Sequence, residues 1–184
     1  IAGQYEIGSS YEKDGVKGVI FAIKEHPSSG KMFCYILSLD EEDLPWSTEY
    51  VDLSYADSTW GAWITEDIFH PSRDNRDIDN YPAFKWCVEH GEGWFLPSQD
   101  EMLWMWDAVS GGTHKFDSPT VEKFNKVLTE NGGEPFQETF YWSSTAGSAD
   151  IAIAVAFMEN SVVCLTPTRD KAYTVRAAYR FAIN

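Results

Sequence analysis

Ser143 and Ser144 in Tyr141-Trp-Ser-Ser-Thr145, the carboxylates of Asp74-Asn-Arg-Asp-Ile-Asp79, and the dispersed His26, His70, His90 and His114 are the residues whose types could support catalysis or metal binding. A serine nucleophile needs a general base and a strained turn that exposes its Oγ. The string around Ser143 lacks the G-x-S-x-G elbow, so a structural hydroxyl is the plainer role. Asp74, Asp77 and Asp79 are hard oxygen donors of the sort calcium prefers. Their loop lacks the glycine and terminal glutamate of an EF-hand, and Arg73 and Arg76 would oppose a cation, which predicts a solvated loop instead. The histidines never fall at i, i+4 or beside a cysteine pair, so no zinc site is expected. These residues predict no catalytic group, no metal site and no cofactor.

Cys34, Cys87 and Cys164 cannot all pair within one chain, and none sits in a C-x-x-C pair. They read as small buried hydrophobes, with one disulfide left open for an extracytoplasmic protein. Aromatic side chains are the better ligand candidates, because Trp and Tyr bring large rigid area with a polar edge, which suits both sugars and protein epitopes. Trp46, Tyr55, Trp60 and Trp63 fall in a long region without steady periodicity, from Asp40 to Asp79, and Trp104 lies off the main apolar stripe of a helix. The same rings could equally seal the core beneath a loop. Arg176 and Arg180, four apart in a strand-like run, are expected on one sheet face, paired with acids such as Glu101 and fixing loops.

The elements that must position these residues are legible in the spacing. Val16–Ile23 and Met32–Leu39 are apolar runs around the turn Pro27-Ser-Ser-Gly30, a hairpin signal, and the second run is apolar enough to be a central strand. Pro82–His90 reads as a helix. A second helix, from about Gln99 to Val109, is opened by Ser98 with Glu101 three residues on, a capping box. Ser118-Pro119 opens a third, which ends at Asn131-Gly132-Gly133. Strands follow at 139–145, 151–157, 161–166 and 173–181, with Glu159-Asn160 as a hairpin turn. Strands, then helices, then strands predict one α+β domain spanning 1–184, with mixed antiparallel sheets, two to three flanking helices and long loops, and with first and last strands sharing a sheet.

Hydrophobic residues make up 43% of the 184-residue chain and aromatics 15%, enough for a core and incompatible with disorder. Fourteen Lys and Arg against 29 Asp and Glu give a net charge of −15. Such a surface repels phosphate backbones and anionic headgroups, so nucleic acid is not an expected partner. No apolar run reaches the ~20 residues of a membrane span. The start at Ile1 suits a processed chain, which leaves a removed signal or lipoprotein leader, and with it a lipid anchor, open.

Gly91-Glu-Gly-Trp-Phe-Leu-Pro-Ser98 with Glu101, then Tyr141-Trp-Ser-Ser-Thr145, then Val175-Arg176 with Arg180-Phe181, is an ordered set that resembles the DUF1566 family, also called the Lcl C-terminal domain. The hairpin at Gly15–Phe21 and the segment Tyr81–Cys87 also look like versions found in gut Bacteroidetes. The resemblance implies a C-type lectin-like fold in which terminal strands pair, helices flank the sheet and long loops present a ligand surface. It implies a non-catalytic ligand-binding or adhesion module at the cell surface or secreted, with a glycan or protein ligand. The triplets of calcium-dependent sugar binders are missing, since Glu134-Pro135 is followed by Phe136 and Trp142 by Ser143. Two alternatives share the broader fold: a relative of the formylglycine-generating enzymes, and a variable binding protein diversified by a retroelement. A purely structural pilus subunit would need donor-strand or polymerisation signals, which are not seen in this sequence.

Overall fold

The computed structural model describes residues 4–49, 59–69, 77–158 and 162–183. One sheet is antiparallel throughout. Its strands are β1 (Ser10–Lys13), β2 (Val16–Glu25), β3 (Met32–Ser38) and β9 (Ala178–Ala182), in the spatial order β1-β2-β3-β9. The expected hairpin is β2–β3, and β3 is central, with Cys34 and Ile36 buried on one face and Tyr35 and Leu37 on the other. The last strand joins the sheet of the first, as the strand–helix–strand order predicts.

The second sheet holds β4 (Glu42–Leu44), β5 (Phe140–Ala146), β6 (Ala152–Ala156), β7 (Val163–Leu165) and β8 (Tyr173–Val175), in the order β4-β8-β5-β6-β7. Its pairings are antiparallel except β5 with β8. The run 173–181 is therefore two strands in two sheets. The break falls at Arg176 and Ala177, where Ser38 N donates to the Ala177 carbonyl and Ala177 N donates to Ser38 Oγ, both at 2.9 Å. Alternation nevertheless runs through the break: Val175, Ala177, Tyr179 and Phe181 face one core, while Arg176 beside Phe136, Ala178, and Arg180 beside Phe33 and Tyr35 face the other, so the two arginines point to one side as expected. Arg176 pairs with Glu41, not with Glu101.

Four helices are described: α1 (Gly61–Ile68), α2 (Pro82–Val88), α3 (Gln99–Ser110) and α4 (Pro119–Glu130). The last three follow the periodicity and caps read from the sequence. Ser98 Oγ accepts from Glu101 N at 3.2 Å, and Glu101 Oε1 accepts from Ser98 N at 2.9 Å, which completes the capping box. Ser118 caps α4 through Val121 N. The first helix falls in the region 40–79, expected as a long loop with short pieces of structure; those pieces are β4, α1 and a 3-10 turn at Ile78–Asn80, and α1 brings the helices to four where two to three were expected. Ile64 and Ile68, four apart, are the buried stripe that docks α1.

The plug Trp94, Phe95 and Leu96 is buried, and Phe95 forms an antiparallel bridge with Ala178. Gly93, at φ +89°, is needed because a Cβ there would lie 2.8 Å from the Tyr179 ring. One core packs α2, Trp46 and Trp142 against one face of the first sheet; the other packs α3, α4, Tyr141 and Phe157 against the opposite face.

Candidate ligand-binding surface

Strand register builds this surface. Lys24 stands opposite Phe33, and Tyr35 opposite Arg180, so alternation puts all four on the sheet face that α3 covers. The tight turn after β2, closed by Gly30 N donating to the His26 carbonyl at 2.9 Å, brings His26 to the same end. The helix α3 contributes Trp104, and the residue before α1 contributes Trp60.

Contacts link these side chains into a chain. Trp60 stacks on His26, with ring centres 4.5 Å apart and planes at 20°. The Arg180 guanidinium lies 4.9 Å from the Phe33 ring and 5.6 Å from the Trp60 ring. Its Nη1 donates to the Tyr35 hydroxyl at 3.4 Å, and the Tyr35 ring meets the Trp104 ring edge-on at 5.5 Å. The Lys24 ammonium sits 5.1 Å above Trp104. Trp60, Trp104, Phe33, His26 and Arg180 are all half-buried, and Lys24 is exposed. Cations held over aromatic faces keep their charge, because a ring quadrupole does not neutralise it.

Glu101 secures the surface from below. Its Oε1 accepts from Gly61 N at 2.8 Å as well as from Ser98 N, so one carboxylate caps the starts of both α1 and α3. Burial pushes its carboxyl up to about 7, against hydrogen bonds from Ser98 and Gly61 and the charge of Arg180, which favour ionisation. Gly61 cannot carry a side chain: a Cβ would lie 2.3 Å from the Leu96 carbonyl and 2.6 Å from Glu101 Oε1. Burial also pushes the Tyr35 phenol up to about 12, so it stays protonated beneath Arg180.

The sequence candidates are distributed unevenly. Trp60 and Trp104 are brought together around Tyr35 and Arg180. Trp63, 46% exposed, lies on α1 three residues beyond Trp60. Trp46 is wholly buried, donates Nε1–H to the Ser143 carbonyl at 2.8 Å and stacks under the Arg169 guanidinium at 4.4 Å; it is a core residue with no surface to offer a ligand. Tyr55 lies outside the described residues, as do Asp74, His70 and the turn at Glu159-Asn160. Lys24, His26, Phe33 and Arg180 were missed as ligand candidates. Cross-strand alternation in the β2–β3 hairpin could have paired Lys24 with Phe33, but nothing local announces that Arg180 lands beside Tyr35.

Most of the catalytic candidates are otherwise engaged. Ser143 Oγ donates to the Ile153 carbonyl at 2.7 Å, whereas Ser144 is fully buried with no hydrogen-bond partner for its hydroxyl among the described residues, out of reach of a substrate. His90 is held by the Trp86 carbonyl at Nδ1 and by Asp40 at Nε2, each at 2.8 Å. Asp79 pairs with Lys85 at 2.6 Å, and Asp77 Oδ1 accepts from Asp79 N. Among the described residues no group of three His, Cys, Asp or Glu side chains is placed to hold a metal ion. All three cysteines are free; Cys34 and Cys87 are buried as expected, whereas Cys164 is exposed on β7.

No family model matches this chain, and no curated protein matches it. Among solved structures it is similar to a fimbrial protein from Bacteroides ovatus, with a TM-score of 0.65 at 14% identity. The likeness covers 96% of this chain and 49% of that one, so the chain spans about half the length of its neighbour. At that identity the likeness is one of fold. No helix among the described residues is long and apolar enough to cross a membrane.

Proposed function

We propose that this domain is a non-catalytic binding module of extracytoplasmic, surface-exposed type, which holds a glycan or protein ligand against Trp60, Trp104 and the cations between them. The observation that carries the reading is the row of contacts from half-buried Trp60 through Arg180 and Tyr35 to half-buried Trp104, on a sheet face fixed by register. Large rigid rings with partly open surface give contact area at small entropic cost. The fold likeness to a fimbrial protein supports a setting on the cell surface. The resemblance to the DUF1566 family and its C-type lectin-like scaffold leads to the same class of function.

For the alternative of a formylglycine-generating enzyme relative, burial raises the Cys34 thiol to about 11 and the Cys87 thiol well above its ordinary value, which disfavours both as thiolate nucleophiles and leaves the exposed Cys164 as the thiol such chemistry would need. The test is a glycan array run beside a pull-down from extracellular matrix, with wild type and Trp60→Ala/Trp104→Ala in parallel. Ligands retained by the wild type and lost by the double variant are expected; silence of the wild type in both formats would sink the reading.

A further inference from the structure

Resting on that reading of the surface, we propose that its ligand is a sparsely charged acidic glycan, in which a carboxylate borne on a sugar ring meets Arg180 and Lys24 while the ring packs on Trp60 or Trp104. The chain carries a net charge of −15, yet here two cations lie on one linked row of rings, Lys24 over Trp104 and Arg180 over Phe33 and Trp60. Among the described residues neither Lys24 nor Arg180 is in an ion pair. The contrast with Arg176 is sharp: that guanidinium donates to Glu41 and to the carbonyls of Ser38, Leu39 and Glu134. Among the described residues Arg180 makes one long hydrogen bond, to Tyr35, which leaves the rest of its fork for an acceptor. The acid whose charge couples to it, Glu101, is fully buried: its Oε1 accepts from two backbone N–H groups, and its Oε2 has no hydrogen-bond partner among the described residues.

A guanidinium with open N–H groups and an ammonium are the donors that a carboxylate takes best. The aromatic faces beside them fit the C–H face of a pyranose. The sparseness follows from the rest of the molecule, since a densely anionic polymer would gain two contacts here and meet repulsion from the remaining surface. An isolated carboxylate in an otherwise neutral saccharide meets only the favourable part.

The test uses an array of uronic-acid oligosaccharides, each beside its carboxyl-reduced neutral counterpart, with an aspartate-rich peptide as control, followed by calorimetry on the best pair. The acidic member is expected to bind about tenfold tighter than its reduced partner. Lys24→Gln, at an exposed position, and Arg180→Gln should each erase most of that difference, with melting curves confirming a folded protein. Equal affinity for the two members, with binding still lost in Trp60→Ala, would overturn the acidic class and leave the surface reading standing. Binding that survives Trp60→Ala/Trp104→Ala would overturn the surface itself. Binding of the peptide alone, or of no glycan, overturns the proposal.

Discussion

Arg176 donates Nη2–H to Glu41 Oε2 at 2.6 Å with both side chains removed from solvent. Around that pair, Tyr141 donates its hydroxyl to the same oxygen at 2.7 Å, Gln137 reaches Oε1, and the Phe136 ring lies 4.2 Å from the guanidinium. The pair thus joins the exit of β3, the segment before β5 and the break between the two sheets. Its role is architectural: it sets where β9 begins, and so where Arg180 emerges beside Tyr35.

Removing one partner leaves the other as an uncompensated buried charge. Arg176→Ala is expected to cost about 3–5 kcal/mol in urea unfolding. Arg176→Lys should rescue little, because a point ammonium cannot serve Glu41 and three carbonyls from one planar fork. A loss below about 1 kcal/mol would contradict this role.

Gly61→Ala would ordinarily favour a helix, since alanine is the better helix former by up to about 1 kcal/mol. Here the added methyl meets the Leu96 carbonyl, Glu101 Oε1 and Ser98 N, all within 2.7 Å. The substitution is expected to destabilise by about 1–3 kcal/mol and to shift Trp60, visible as a change in tryptophan emission. A stabilised protein with an unaltered spectrum would show that the start of α1 is not clamped on α3.

Glu101 makes stability depend on pH. Its carboxyl titrates near 7 in the folded chain against 4.5 as an ordinary carboxyl. Between those values the folded state holds a proton that the unfolded state has lost. Stability therefore falls as pH rises through that window, by about 3 kcal/mol at ~1.4 kcal/mol per pH unit, and levels above it. His90 acts in the same direction: its burial disfavours the charged ring, but hydrogen bonds to Asp40 and the Trp86 carbonyl outweigh that and raise its pKa, so its contribution is also lost on going alkaline. The difference between wild type and Glu101→Gln isolates the carboxyl. The variant should be flatter between pH 5 and 8; parallel curves would remove Glu101 as the titrating group.

Thiol labelling of the folded protein should modify Cys164 rapidly and spare Cys34 and Cys87 until denaturant is added, because only Cys164 is exposed. Fast modification of more than one thiol in the native state would contradict the packing around β3 and α2.

Local signals carried the scaffold well. The capping box at Ser98 and Glu101, the helix start at Ser118-Pro119 and the β2–β3 hairpin all follow from short-range chemistry that tertiary context did not override. The split of 173–181 was hidden, because a run of β-favouring residues does not reveal that Arg176 is captured by Glu41 from 135 residues away. The helix α1 was obscured by its eight-residue length and by a buried stripe whose only large apolar members are Ile64 and Ile68. At the candidate surface, composition singled out Trp60 and Trp104 but also Trp46, since an indole that seals a core and one that meets a ligand look alike in sequence. The cations were not legible: Arg180 becomes a neighbour of Tyr35 only when β9 docks on β3.

The most direct measurement of the central claim is the paired array of wild type against Trp60→Ala/Trp104→Ala, with matched melting curves. Discrete ligands on the wild-type protein are expected to disappear in a double variant still folded at the assay temperature. Ligands retained at undiminished affinity by the folded double variant would show that recognition lies elsewhere on the molecule.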